Sequence, residues 1–457
     1  MIVSPRPQRR ALTLLLAPLA LLAWILPANA QTEFVPITSP GGISAWMVED
    51  HTIPIITLGF AFKGAGATQD PNDQLGRANL MSTLLDEGAG DLDSEAFQTQ
   101  LDEVGLEIQF SADQDNFSGA ARMLSEARED GTELLALAVN EPRFDQPAVD
   151  RMRAQIMAGL VAQSQDPGYA ARLMWNEALF GDHPYSRPVE GTVETLPVIT
   201  IENLRAFHNA VFARENLKIG IVGAITPQEA GEMIDVVFGG LPQAPELIPI
   251  PDAQLSFGQE LAVSYPLPQT TINMAFPGIA QEDPEFFPAY VMTELLAGGN
   301  LLSLLNVEVR EKRGLSYGVS GNMVDLAHAH AITIGTSTSS DQADETIEVI
   351  KTTLAALAEN GPDPVELERI QRYLIGAYPI NQLRSSVSIA RAMVGQQLRD
   401  LPVDYITERA GLIEAVTAAD VQAMAQQIFA TEPSLMLLGP EADADDLAAT
   451  TPEPANP

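Results

Sequence analysis

The chain repeats itself, and the repeat restricts its fold more than any other feature. Ala78-Asn79-Leu80-Met81-Ser82-Thr83-Leu84-Leu85 is matched 211 residues later by Ala289-Tyr290-Val291-Met292-Thr293-Glu294-Leu295-Leu296. Thr200-Ile201-Glu202-Asn203-Leu204, running on to Phe212-Ala213-Arg214-Glu215, is matched 217 residues later by Thr417-Ala418-Ala419-Asp420-Val421 and Phe429-Ala430-Thr431-Glu432. Amphipathic helices can resemble one another by chance. Two matches at nearly one spacing instead point to a duplicated domain of about 215 residues. At 457 residues the chain also exceeds what a single core organises.

Periodicity describes the first copy. A strand over 51–62 turns at Lys63-Gly64-Ala65-Gly66, and Asp70-Pro71-Asn72-Asp73 then opens a helix over Leu75 to Leu85. Asp93 or Ser94 caps a second helix ending at Gly105. Strands 106–112 and 116–123 follow, then helices 126–140 and 146–163. This order predicts an α+β fold of two similar domains, each a mostly antiparallel sheet with helices packed on one face. The expected limits are 31–243 and 258–440, joined by a Pro-rich, semi-rigid linker over 244–257. Residues 441–457 are acidic and rich in Ala and Pro, the composition of a disordered tail.

Residues 1–30 read as a leader. Arg6, Arg9 and Arg10 form a basic n-region, 11–26 is apolar, and Ala28-Asn29-Ala30 is a small-residue cleavage site, so cleavage is expected after Ala30. The Arg9-Arg10 pair hints at twin-arginine export, although its surroundings fit the general secretory route better. The expected compartment is the periplasm, with no stable membrane span once the leader is gone. Asp and Glu number 61 against 25 Lys and Arg, a formal charge of -36 that disfavours nucleic acid and anionic membranes as partners. The chain has no cysteine, hence no disulfide framework, thiolate metal site or Cys nucleophile.

One block carries candidate chemistry: Arg310-Glu311-Lys312-Arg313-Gly314-Leu315-Ser316-Tyr317-Gly318. A helix-period segment, 301–309, precedes it and a strand follows. Gly314 stands where a helix-terminating glycine belongs. Arg310 and Tyr317 then lie close together on one turn, and both can donate to a carbonyl or an oxyanion. Ordinary helix-end charge beside a half-buried tyrosine is the competing reading. Of the five histidines, His51 and His208 stand alone, and His183 sits in a Pro-bounded turn as a structural residue. His328 and His330 could share one strand face near Asp325, but no second ligand cluster accompanies them.

Several blocks resemble the insulinase (pitrilysin) family of zinc metallopeptidases. They are the strand with its Lys63-Gly64-Ala65-Gly66 turn and Gly76-led helix; Phe180-Gly181-Asp182-His183-Pro184-Tyr185-Ser186-Arg187-Pro188 with Gly191-Thr192; and the Arg310 to Tyr317 block. The resemblance covers about residues 35 to 440 and implies a clam-like unit of two similar α+β domains. Active members carry H-x-x-E-H on the first-domain helix, with two His on zinc and the Glu as base. Here the corresponding positions hold Asn79, Ser82 and Thr83, which are not ligands. The region of the third ligand reads Met157-Ala158-Gly159-Leu160, without a carboxylate. The resemblance therefore implies no metal and no cofactor in this chain, with zinc on a paralogous partner subunit. Arg310 and Tyr317 are the implied catalytic contribution to peptide cleavage, and Gly298, Gly299 and Asn300 form a loop expected to contact peptide substrate. The alternative is a non-enzymatic scaffold or assembly subunit of the same fold.

Overall fold

The computed structural model describes residues 34–299 and 301–440. The expected leader at 1–30, the tail at 441–457 and Asn300 lie outside the described residues. Among those described, eleven strands form two sheets. The first contains β1 (Val35–Thr38), β2 (Ser44–Glu49), β3 (Ile55–Lys63), β4 (Glu107–Ala112), β5 (Asn116–Leu124) and β6 (Leu217–Gly223), in the order β1-β2-β6-β3-β5-β4. The second contains β7 (Glu260–Ser264), β8 (Thr270–Pro277), β9 (Ser316–Leu326), β10 (Ala329–Thr338) and β11 (Ser434–Gly439), in the order β7-β11-β8-β10-β9. Without β1 the two sheets have the same strand order and chain order. Each has one parallel pair, β2 with β6 and β7 with β11, and is otherwise antiparallel. The duplication is thus visible as topology. The same capping box, Thr200 with Asn203 and Thr417 with Asp420, opens the matched helices Ile201–Val211 and Ala418–Phe429.

Alternation along the strands separates two kinds of face. On β3, Ile56, Leu58, Phe60 and Phe62 enter the core shared with the first half's helices. Phe62 stacks on Phe212 at 4.0 Å and Phe60 meets Phe238 edge-on at 5.1 Å, pairs worth about 0.5–1.5 kcal/mol each beyond area burial. The opposite face of β3 carries the small Gly59 and Ala61, and on it lies helix Ser386–Leu398 from the second half. Thr57 donates to the Ser386 hydroxyl at 2.8 Å, and Gln397 donates to the Ile219 carbonyl at 2.8 Å. The exchange is mutual. Helix Pro167–Phe180 of the first half sets Ala171, Trp175 and Leu179 against Ala275, Met436 and Leu438 of the second sheet. Each half's own helices cover one face of its sheet, as the sequence predicts, and the other face receives a helix from the opposite half.

Two local expectations need correction. The helix after the first turn spans only Arg77–Ser82 rather than 75–85. Ser82 and Thr83 donate to the Asn79 and Leu80 carbonyls at 2.8 and 2.9 Å, side-chain bonds that compete with the helical ladder. Asp70 does not begin that helix; its carboxylate reaches across a loop to accept the Gly76 and Ala78 amides at 3.1 and 3.2 Å. The segment 301–309 is likewise not one regular helix, and a turn of π-helix occupies Asn306–Glu311.

Candidate functional site

The Arg310 turn is built by backbone closure. Lys312 N–H reaches the Val307 carbonyl at 2.9 Å, the i to i+5 bond that widens a π-turn. Gly314, with φ +67°, then ends the helix. Its N–H donates to Arg310 O at 3.0 Å, and Leu315 N–H donates to Val309 O at 2.9 Å. This is the expected glycine terminus, with buried Leu315 tucked beneath it. The three cations of the turn then divide. Lys312 and Arg313 both bond Glu308, at 2.5 and 2.7 Å, and these bonds hold its carboxyl below the usual range. The Arg310 side chain is exposed, and its guanidinium forms no hydrogen bond or ion pair with any described residue.

Tyr317 lies at the start of β9, the edge strand of the second sheet. Ser316 pairs with Thr338 and Val319 with Thr336, so Tyr317 and Gly318 together oppose a single residue of β10. Such a bulge re-aims a side chain. Thr336 and Thr338 fasten it by donating to the Gly318 and Leu315 carbonyls at 2.8 and 2.6 Å. Tyr317 is 90% exposed, which removes the half-buried alternative. Buried Asn306 couples the turn to the strand, donating to Val319 O at 2.9 Å and accepting from Val319 N–H at 3.0 Å. Sequence reasoning missed Asn306. Its only signal was a polar residue inside an apolar helical segment.

Asn79, Ser82 and Thr83, the positions expected to correspond to the zinc motif, lie on the other half. Ser82 and Thr83 spend their hydroxyls on their own helix, and Asn79 is half-buried. None offers an imidazole or carboxylate, so these residues do not fit a zinc ion. The frame around them is nevertheless built. Arg187 donates to Asp70 O, Asn72 Oδ1 and Thr68 O at 3.1, 2.8 and 3.3 Å. Gly191 has φ +78°, and a Cβ there would stand 2.2 Å from Leu75 O. Burial pushes the Asp70 carboxyl up to about 6, against the pull of Arg77, whose Nε lies 3.4 Å away.

The histidines have separate partners. His51 pairs with Glu49, His183 with the Pro251 carbonyl, His208 with the Val139 carbonyl, His328 with Asp252 and His330 with Asp325. Among the described residues, no three or more His, Cys, Asp or Glu are grouped to hold a metal. A clasp joins the halves beside His328. Tyr185 donates to Asp115 at 2.5 Å and accepts from His328 N–H at 3.0 Å, while Asp115 accepts from Ala327 N–H at 2.9 Å. Gly298 and Gly299 follow helix Phe286–Ala297. Gly298 is buried, and a Cβ there would meet the Glu294 carboxylate at 2.2 Å, whereas Gly299 is exposed with open space around it. No hydrogen bond or ion pair between described residues joins Arg310 or Tyr317 to the motif helix or to this loop.

Comparison with known proteins places these features in context. Residues 47–193 match the model of the insulinase family, peptidase family M16, and residues 199–374 match that of the peptidase M16 inactive domain. A protein of Helicobacter pylori named as the non-peptidase homologue YmxG is 23% identical over 335 residues, covering 73% of this chain and 77% of that protein. An uncharacterized zinc protease of Streptomyces coelicolor is 24% identical, covering 89% of each. The crystal structure of a peptidase M16 inactive domain from Pseudomonas fluorescens superposes with a TM-score of 0.83 at 27% identity, covering 90% of this chain and 98% of that one.

Proposed function

The chain belongs to the insulinase family as a member without the metal ligands, and from that premise we propose that it is the zinc-less subunit of a two-chain exported peptidase. A paralogous partner bearing H-x-x-E-H would supply the zinc and the general base. This chain would supply Arg310 to hold a carbonyl of the peptide substrate and Tyr317 to donate to the developing oxyanion. Gly298, Gly299 and Asn300 would border the bound peptide. The halves would extend over 31–243 and 258–440, with 244–257 between them. The basic and apolar leader at 1–30 supports export to the periplasm. No helix among the described residues is long and apolar enough to cross a membrane.

One contrast carries the reading. Within a basic turn whose other two cations both bond Glu308, the Arg310 guanidinium has no described partner, seven residues before a tyrosine that is 90% exposed. An exposed tyrosine hydroxyl and an uncommitted guanidinium are both free to donate to a ligand's carbonyl or oxyanion. The test is co-purification from the periplasm with a tagged chain, followed by peptide turnover and metal analysis of each component. The expected result is a second signal-bearing chain of similar size that carries the zinc, with turnover only when both are present. Recovery of a lone chain with near one zinc, or an assembly of family relatives without peptidase activity, would favour instead a solo enzyme or a scaffold.

A further inference from the structure

The second half holds a polar cavity that the two-chain reading does not use. Its volume is 420 Å³, within the range of small-ligand pockets. Tyr290, Tyr378, Tyr405, Arg391, Gln396 and Arg409 contribute to its wall, and no Asp or Glu does, in a chain with 61 acids against 25 bases. Arg409 is 7% exposed. Its guanidinium lies 4.3 Å from the centre of the Tyr378 ring, donates to Tyr290 OH at 3.0 Å and to Leu374 O at 3.3 Å, and forms no ion pair with a described carboxylate. Glu294 is near enough for Arg409 to ease the rise that burial imposes on its carboxyl, but the two do not bond. The Arg391 side chain is exposed, and its guanidinium has no hydrogen bond or ion pair with any described residue. Arg399 also borders the cavity but is committed to Asp325 at 2.8 Å. Gln396 is 6% exposed, and its Oε1 accepts no hydrogen bond from the protein.

The duplication gives the cavity a place. Tyr290 stands 211 residues after Asn79, the spacing of the first repeat. Tyr378 stands 218 residues after Leu160, the spacing between Asp145 and Asp363, which precede helices Gln146–Gln163 and Pro364–Gln382. The cavity of the second half therefore lies where the first half carries its altered motif positions. A buried guanidinium with spare donors, a second unpaired arginine, aromatic walls and a buried acceptor suit one ligand chemistry. We propose that this cavity binds the carboxylate of an N-acylated amino acid carrying an apolar side chain, with Arg409 and Arg391 on the carboxylate, Gln396 accepting the ligand's amide N–H, and the tyrosines against its side chain. A free acyl amino acid and the C-terminus of a peptide present the same groups.

The measurement is calorimetric titration of the purified chain, without any partner, so that its outcome is separate from the two-chain reading. N-acetylphenylalanine is expected to bind, and its C-terminal amide at least about 10-fold more weakly, since a hydrogen bond to a charged group is lost. Arg391→Gln, at an exposed site that does not endanger the fold, is expected to weaken the acid by about 10-fold and leave the amide unchanged. Arg409→Lys, checked by thermal melting, is expected to weaken it further because the planar fork is lost. A hexapeptide ending in a free phenylalanine that binds as well as the acetylated residue identifies peptide C-termini as the source. Binding of the free residue alone identifies small acyl amino acids. Equal binding of acid and amide, no binding at millimolar concentration, or an unchanged affinity in Arg391→Gln overturns the proposal.

Discussion

Asn306 and Val319 exchange two hydrogen bonds, at 2.9 and 3.0 Å, through a side-chain amide that imitates a strand partner. Asn306 lies within the π-turn that carries Arg310, and Val319 lies two residues beyond Tyr317 on an edge strand that, among the described residues, pairs only with β10. The amide also donates to Ser303 Oγ at 2.8 Å. The Asn306 amide therefore ties the turn that carries Arg310 to the strand that carries Tyr317.

Asn306→Leu is expected to leave the Val319 amide and carbonyl buried without these partners. The cost is about 1–3 kcal/mol per abandoned polar group. Denaturant unfolding reads this directly. In the reconstituted pair the same change should lower turnover more than Arg313→Ala does, because it loosens the site itself.

Tyr317→Phe removes a hydroxyl from a side chain that is 90% exposed, so the melting temperature should not move. Turnover by the assembled pair should fall by roughly 10²–10³, the usual cost of one oxyanion donor. Arg310→Ala should raise KM as well. Arg313 is occupied by Glu308, and Arg313→Ala should cost within about 1 kcal/mol. Full activity in Tyr317→Phe, with loss in Arg313→Ala, would reverse the assignment.

Gly220 tests the helix exchange. A Cβ there would stand 2.8 Å from the Ala390 carbonyl oxygen and 3.0 Å from Met393 Cβ. Although valine favours strands, Gly220→Val should destabilise by about 1–3 kcal/mol, because the lent helix must back away. Gly159 has nothing within 4 Å of a built Cβ and sits inside helix Gln146–Gln163, so Gly159→Ala should stabilise by about 0.5–1 kcal/mol. Equal effects at the two sites would mean that Ser386–Leu398 does not pack on the first sheet.

The His330 ring pairs with Asp325 at 2.9 Å, and that hydrogen bond holds its pKa above the ordinary value of 6.5 despite burial; Glu282 and Asp252 add to the effect. Burial pushes the Asp325 carboxyl up, but its bonds to His330 and Arg399 hold it below the usual range. A raised histidine binds more protons folded than unfolded, so its contribution is complete below the unfolded pKa and is lost as pH rises through the folded one. Stability should therefore decline as pH is raised from about 6.5. In His330→Gln this part of the slope should vanish. A variant with the parental slope in denaturant midpoints over that range would rule out His330 as its source.

The sequence by itself determined what depends on neighbours in the chain. Gly314 terminates its helix, and Thr200 and Thr417 close capping boxes with partners three residues on. The strand expected over 51–62 is present as β3, Ile55–Lys63. The duplication, the lack of an imidazole or carboxylate at Asn79, Ser82 and Thr83, and the Arg310 to Tyr317 block were legible because residue identity alone carries them. Tertiary structure decided what depends on distant partners. Thr57 meets Ser386 across 329 positions, Gln397 meets Ile219 across 178, and Asp115 meets Ala327 across 212. Those contacts set which helix covers which sheet. The exposure of Tyr317 follows from a bulge against β10, and the pairing of Glu308 with Lys312 and Arg313 but not with Arg310 follows from where the π-turn points Glu308. The cavity around Arg409 gathers residues from 281 to 409 that no local pattern links. Local hydrogen bonds and side-chain period leave their mark within a few residues, whereas contacts over hundreds of residues are selected only once both cores have closed.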